Sequence, residues 1–104
     1  MNGPQLTLAD VVDARRFEAH LDGELAGFLD YRLAGNRRIL VHTEVFPAFE
    51  GRGVGAALAR HALAEARSAG RRVTVRCPFI RAYLLRHPDE ADVVIPEIIR
   101  DAPG

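Results

Sequence analysis

Gly51, Gly53 and Gly55 alternate in Glu50-Gly-Arg-Gly-Val-Gly55, at the point where an apolar strand ends and a long helical pattern begins. Glycines here let the backbone come close to a ligand, and the first turn of a helix leaves its N–H groups unpaired. The aligned peptide dipoles add partial positive charge, so a phosphate or pyrophosphate is a natural occupant. A ligand-free tight turn would use the same glycines. Just before this loop stand His42 and Glu44, two apart, so an imidazole and a carboxylate share one face of a strand. Cys77, the one thiol, closes a later strand.

Two familiar phosphate loops are excluded. A P-loop needs Lys after its last glycine, but Ala56 stands there and the chain contains no Lys. The dinucleotide fingerprint Gly-x-Gly-x-x-Gly has a different last interval and opens a βαβ unit, whereas this loop follows hairpins.

The elements around the loop are legible from periodicity. Phe17, Ala19 and Leu21 alternate with Glu18, His20 and Asp22, and Asp22-Gly23 is a hairpin turn. Leu25, Leu29, Tyr31 and Leu33 continue an apolar face up to a second turn, Ala34-Gly-Asn-Arg37, and Arg38 to Phe46 forms a third strand. These three predict an antiparallel meander. Strict alternation in the third strand puts Ile39, Val41, Thr43 and Val45 on one face, and Leu40, His42, Glu44 and Phe46 on the other. In the helix, Leu58, Ala62, Ala66 and Ala69 centre an apolar stripe flanked by Val54, Ala59 and Leu63; Arg60, Arg67 and Ser68 face water, with His61 near them, and Gly70 stops it. Arg72 to Cys77 reads as a strand parallel to the third, because a crossover helix precedes it. Pro78 opens a short helix to about Leu85, ended by His87-Pro88. Met1 to Ala14 is open between an edge strand and a helical turn, Ala91 to Ile99 between a strand and a packed tail, and Asp101 to Gly104 is expected to fray.

The glycine loop resembles the signature of the GNAT superfamily of acyl-CoA-dependent N-acyltransferases, Gln/Arg-x-x-Gly-x-Gly/Ala between a strand and a helix. Here it reads Glu50-Gly51-Arg52-Gly53-Val54-Gly55, with a carboxylate in the first place. His42-Thr-Glu-Val, Cys77-Pro-Phe-Ile-Arg-Ala-Tyr and Arg86-His-Pro-Asp-Glu-Ala-Asp92 further resemble a subfamily of minimal GNAT domains, from about Phe17 to Val94. The resemblance implies an α+β (α/β) fold: a meander, then a strand-loop-helix-strand crossover with splayed parallel strands, then a short helix. With only a tight turn at Asp22-Gly23, no helices fit between the first two strands, which leaves one sheet face open as a groove or a surface for a second subunit.

The resemblance also implies a function: transfer of an acetyl group from acetyl-CoA to an amine of a small molecule or a peptide. Val45 and Phe46 would offer backbone contacts to the pantetheine arm, and Gly51, Arg52, Gly53, Val54 and Gly55 would cradle the pyrophosphate. Arg52 and Arg60 are either further contacts to the donor or solvated charges, and Arg81 and Arg86 either hold CoA or an acidic partner or are solvated helix charges. Transfer needs a base, for which His42 and Glu44 are candidates; a structural histidine and an arginine's ion-pair partner are the plainer readings. Cys77 would lie near the thioester, as an acyl acceptor or as an apolar lining residue. The family's acid is a Tyr in the helix after this strand, but Arg86 stands at that position and Tyr83 is turned by about 300° around the helix. Glu50 and the missing Tyr favour an alternative, a CoA-binding or interaction module without efficient catalysis.

Composition sets the remaining bounds. A chain of 104 residues, 48% hydrophobic and 27% charged, is expected to be one domain with one core. Fourteen Arg balance fourteen Asp plus Glu, so nucleic acid is not an expected partner. A single cysteine, no leader pattern and no spanning stretch point to a soluble cytoplasmic protein, monomeric or homodimeric, with no metal in its chemistry.

Overall fold

The computed structural model describes residues 5–96. Five strands, β1 (Leu6–Val11), β2 (Arg16–Leu21), β3 (Glu24–Ala34), β4 (Arg37–Val45) and β5 (Arg72–Val75), form one sheet in chain order. The first four are antiparallel, and β5 lies parallel to β4. Helix α1 (Val54–Ala69) makes the crossover and α2 (Pro78–Arg86) follows β5. This is the expected mixed architecture. The segment before Ala14, open in the sequence, supplies the edge strand β1 and a 3-10 turn over Val12–Ala14.

The Asp22-Gly23 turn shows why β1 docks there. Both residues have positive φ, 51° and 86°, as a two-residue hairpin matched to strand twist requires. Asp22 then accepts from the Gln5 N–H through its carboxylate at 2.9 Å and donates its own N–H to the Gln5 carbonyl at 2.8 Å. The backbone that strains Asp22 is thus fixed by Gln5.

Two bulges break the strict alternation. Ala26 is an extra residue in β3 opposite the Ala19–His20 step, so Ala26 rather than Leu25 is fully buried. Val41 is the extra residue in β4, between Leu40, which faces Tyr31, and His42, which faces Asp30. Leu40 therefore shares the α1 side with Thr43 and Val45, while His42 and Glu44 point to the opposite face. The face assignment read from the sequence holds only beyond the bulge, because one inserted residue reverses a period of two.

The core lies between the sheet and α1, where Phe17, Leu29, Leu40, Leu58, Leu63 and Val73 are fully buried. Each such side chain is worth about 2 kcal/mol of burial. Ala69, expected in the stripe, is exposed, and His61 turns inward with its ring edge against Phe17 at 5.4 Å. Gly70 ends α1 in the left-handed region, with the Arg71 and Gly70 N–H groups bonded to the carbonyls of Ala66 and Arg67 at 2.8 and 3.3 Å. Beside it, Arg38 is 5% exposed, stacked on Tyr31 at 4.4 Å and ion-paired with Asp10 at 3.1 Å and with Glu65. Tyr31 donates its hydroxyl to Asp10 at 2.6 Å. Burial, then that bond, pushes its pKa up to about 12.

After α2 a 3-10 turn runs over Pro88–Val93, and Val94 bridges Val73. The tail thus begins as a short strand-like contact; its continuation to Ile99 and the expected fraying at 101–104 lie outside the described residues.

Candidate acyl-donor site

Parallel pairing of β4 and β5 runs from Arg37 with Arg72 to Leu40 with Val75 and then stops. The N–H groups of Arg76 and Cys77 both donate to the Leu40 carbonyl, at 2.9 and 3.1 Å, and Pro78 turns the chain into α2. Residues 41–45 of β4 continue without a β5 partner, so the two strands part. Across that gap the Thr43 hydroxyl and the Cys77 thiol are 3.2 Å apart.

At the open end, Pro47–Phe49 makes a 3-10 turn that sends the chain toward α1. Gly51 and Gly53 take φ of 80° and 78°, so L-residues would be strained at both. Gly53 is the N-cap and brings no side chain to bond the helix end. The first helical bond shown is from the Ala57 N–H to the Gly53 carbonyl, at 3.0 Å, which leaves the donors of Val54, Gly55 and Ala56 without helical acceptors. A cleft of about 310 Å³ lies against this turn, lined by Val45, Phe49, Glu50, Gly51, Gly53, Val54, Gly55, Ala56 and Phe79.

Gly55 explains how α2 reaches this corner. A Cβ there would lie 2.6 Å from Cζ of Phe79, so only glycine lets that ring settle on the first turn of α1. Phe79, 43% exposed, was not singled out in the sequence; its place right after Cys77-Pro78 was the available signal.

Of the anticipated donor-binding residues, Val45, Gly51, Gly53, Val54 and Gly55 line the cleft, and Phe46 and Arg52 do not. The Phe46 N–H is committed to the Ala26 carbonyl at 2.9 Å, and its ring packs against Phe28 on the other face. Arg52 is exposed. Uncapped donors at a helix end, an apolar cleft and an unpartnered strand stretch fit a phosphate-bearing group with a slender amide arm. The Glu50 carboxylate at the cleft opposes that charge.

His42 and Glu44 meet, Nε2 to Oε1 at 2.9 Å, with side chains 55% and 45% exposed on the open sheet face. Phe28 neighbours His42 at 6.4 Å between ring centres. Thr43, between them in sequence, points the other way to Cys77, which is 1% exposed. The structure thus brings His42 to Glu44 and Cys77 to Thr43, on opposite sides of β4. Tyr83 is no free acid: its hydroxyl donates to both Glu90 oxygens, at 3.0 and 2.9 Å, and its ring stacks on His87 at 4.3 Å. Burial first, and then Glu90, raise its pKa. Arg86, at the family's Tyr position, is exposed. No cluster of three or more His, Cys, Asp or Glu side chains suited to a metal occurs among the described residues.

Comparison with solved structures places the fold. The chain superposes on a GCN5-like protein from Staphylococcus aureus with a TM-score of 0.66 at 20% identity, over 100% of both chains. It also matches nourseothricin acetyltransferase, with a TM-score of 0.46 and 27% identity over 65% of this chain and 55% of that one. AAC(6′)-Iy in complex with a CoA bisubstrate analogue matches with a TM-score of 0.48 and 20% identity, over 85% and 69% of the two chains. No curated protein matches significantly. The family model described as GCN5-related N-acetyl-transferase matches residues 16–93, a span that holds the glycine loop, the parting strands and both helices. On that match the chain belongs to the GCN5-related N-acetyltransferase family.

Proposed function

We propose that this protein is an acetyl-CoA-dependent N-acetyltransferase acting on an amine of a small molecule or a peptide. The observation that carries the reading is the uncapped start of α1, opening on a cleft beside the stretch of β4 that β5 leaves unpaired. Val45 and the backbone of Gly51, Gly53, Val54 and Gly55 hold the donor, and Arg52, exposed between two of those glycines, adds a cation near its phosphates. The donor supplies an activated thioester.

The chain's own part is to bind, orient and move a proton. An acceptor amine is an ammonium in water and must lose a proton before it can attack. Glu44 and His42, bonded to each other and open to solvent, take that proton on the sheet face that carries no helix. Cys77 is buried and bonded to Thr43, so it lines the gap, and the amine attacks the thioester carbonyl directly; the C–S bond breaks and the CoA thiolate leaves, taking its proton from solvent. Incubation with acetyl-CoA should then leave Cys77 without an acetyl mass increment.

The test is thiol release from acetyl-CoA over a panel of amines and peptides, with His42→Gln and Glu44→Gln as controls. Release that depends on the amine and falls at least tenfold in one control supports the reading. Amine-independent release, or none at all, removes it. One observation favours a second reading, a donor-binding module without catalysis: Tyr83 is occupied by Glu90, and no other phenol lies on α2. Calorimetric binding of acetyl-CoA without thiol release would establish that reading.

A further inference from the structure

On the open face, at the end of the sheet remote from the donor cleft, neighbouring backbones set Ala34, Arg37, Arg72 and Ile95 side by side. Ala34 pairs with Arg37 across the β3–β4 hairpin, and Arg37 pairs with Arg72 across the parallel ladder. The Ile95 N–H donates to the Val73 carbonyl at 2.8 Å, which lays that segment along the outer edge of β5. Arg38 and Val73 are turned into the core, so their neighbours Arg37 and Arg72 project from the other face. With Asn36 at the turn, these residues line a pocket of about 300 Å³.

Among the described residues no carboxylate pairs with the charge in this pocket, where Arg37 is half-buried and Arg72 exposed. Two cations stand directly opposite each other on adjacent strands, an arrangement that destabilises a sheet. The ion pairs among the described residues give neither a carboxylate, whereas Arg38, one residue along, has two. Among the described residues Arg37 Nε is buried with no hydrogen-bond partner, as are Arg38 Nε and Arg71 Nε; unlike those two, Arg37 has no carboxylate on its guanidinium. Two guanidinium groups side by side, one with a buried donor still to be matched, suit an anionic head group.

We propose that Arg37 and Arg72 form a binding site for a small organic anion, with a carboxylate or phosphate head and a short apolar body. The guanidinium forks match the planar or tetrahedral oxygens of such a head, while Ala34 and Ile95 flank the body. The volume is at the lower end for small-ligand sites, which sets the size class. The site is separate from the transfer machinery: Glu44 is seven residues further along β4, about 20 Å at the usual strand rise. It therefore stands whether or not acetyl transfer is confirmed.

The test is a titration of the full chain with inorganic phosphate and, in a second arm, with butyrate, each against chloride at matched ionic strength. The readout is the Nε–Hε signal of Arg37 and the backbone amides of Arg37 and Arg72 by ¹⁵N NMR. We expect saturable shifts in the millimolar range with one or both probes, and the stronger probe identifies the head group. Arg72→Gln should weaken binding at least tenfold and raise the melting temperature in chloride, because the opposed charges are gone. Absence of saturable shifts with both probes, or unchanged affinity in Arg72→Gln, would overturn the proposal. So would binding seen only after Glu97→Gln and Asp101→Asn, since the pocket would then belong to the chain's own carboxylates.

Discussion

The two ends of α1 treat polar groups in opposite ways. At the C-terminal end, Gly70 and Arg71 bond the last carbonyls, Asn36 donates to the Gly70 carbonyl at 3.2 Å, and Glu65 is paired with Arg38. At the N-terminal end the N-cap is a glycine with no side chain to offer, two glycines hold left-handed turns, and a cleft stands open. Both ends belong to one sixteen-residue helix, so helix formation does not account for the contrast. One end is built to hold the fold together, and the other to leave donors for something else.

The largest effect expected from this contrast is on stability alone. Arg38→Leu strands Asp10 and Glu65 without their shared cation and should cost about 3 kcal/mol in urea unfolding. The folded fraction should still bind acetyl-CoA as the wild type does; a matching loss of affinity would mean that the two ends are not independent. The reverse change is Gly55→Val, which drives a side chain into the Phe79 ring at the cleft. Acetyl-CoA affinity should fall tenfold or more, about 1.4 kcal/mol. Calorimetry beside a urea curve shows whether binding is lost more than stability.

A smaller effect comes from pH. Tyr31 is neutral when protonated, and its folded pKa of about 12 lies above the ordinary tyrosine value of 10.0. Its contribution is thus complete below about pH 10 and is lost as pH rises toward 12. Tyr83, raised in the same direction, adds to the loss. Urea midpoints from pH 9 to 12 should decline in the wild type and less steeply in Tyr31→Phe; parallel curves would remove Tyr31 from the account. The smallest effect belongs to the exposed pair of Arg67 and Asp92, 2.8 Å from Nε to Oδ2. Its bond to Arg67 holds the Asp92 carboxyl below the usual range. Carboxyl NMR should show that titration moving up in Arg67→Gln, with a melting temperature little changed.

The contrast also marks what the sequence makes legible. The glycine loop, the helix from Val54 to Gly70 and the parallel strand after it are written in local chemistry: turn residues, period and length. The bulge at Val41 is not, because nothing in Ile39-Leu-Val-His42 distinguishes a bulged strand from a regular one. That single residue decides that His42 and Glu44 lie on the open face, away from Cys77. The Arg38 cluster was hidden for a different reason: Asp10, Tyr31, Arg38 and Glu65 are far apart in the chain and meet only through the sheet register and the α1 crossover. Phe79 is similar, an ordinary aromatic in sequence that matters because Gly55 makes room for it.

The central claim is that the first turn of α1 is kept open for the donor's phosphates. Its most direct test is a ¹⁵N NMR titration with acetyl-CoA, following the amides of Gly51 and of Gly53 to Ala56. The account predicts saturable shifts concentrated in those residues, with a smaller response in Val45. Saturation with those amides unmoved, or no binding at millimolar acetyl-CoA, would contradict it.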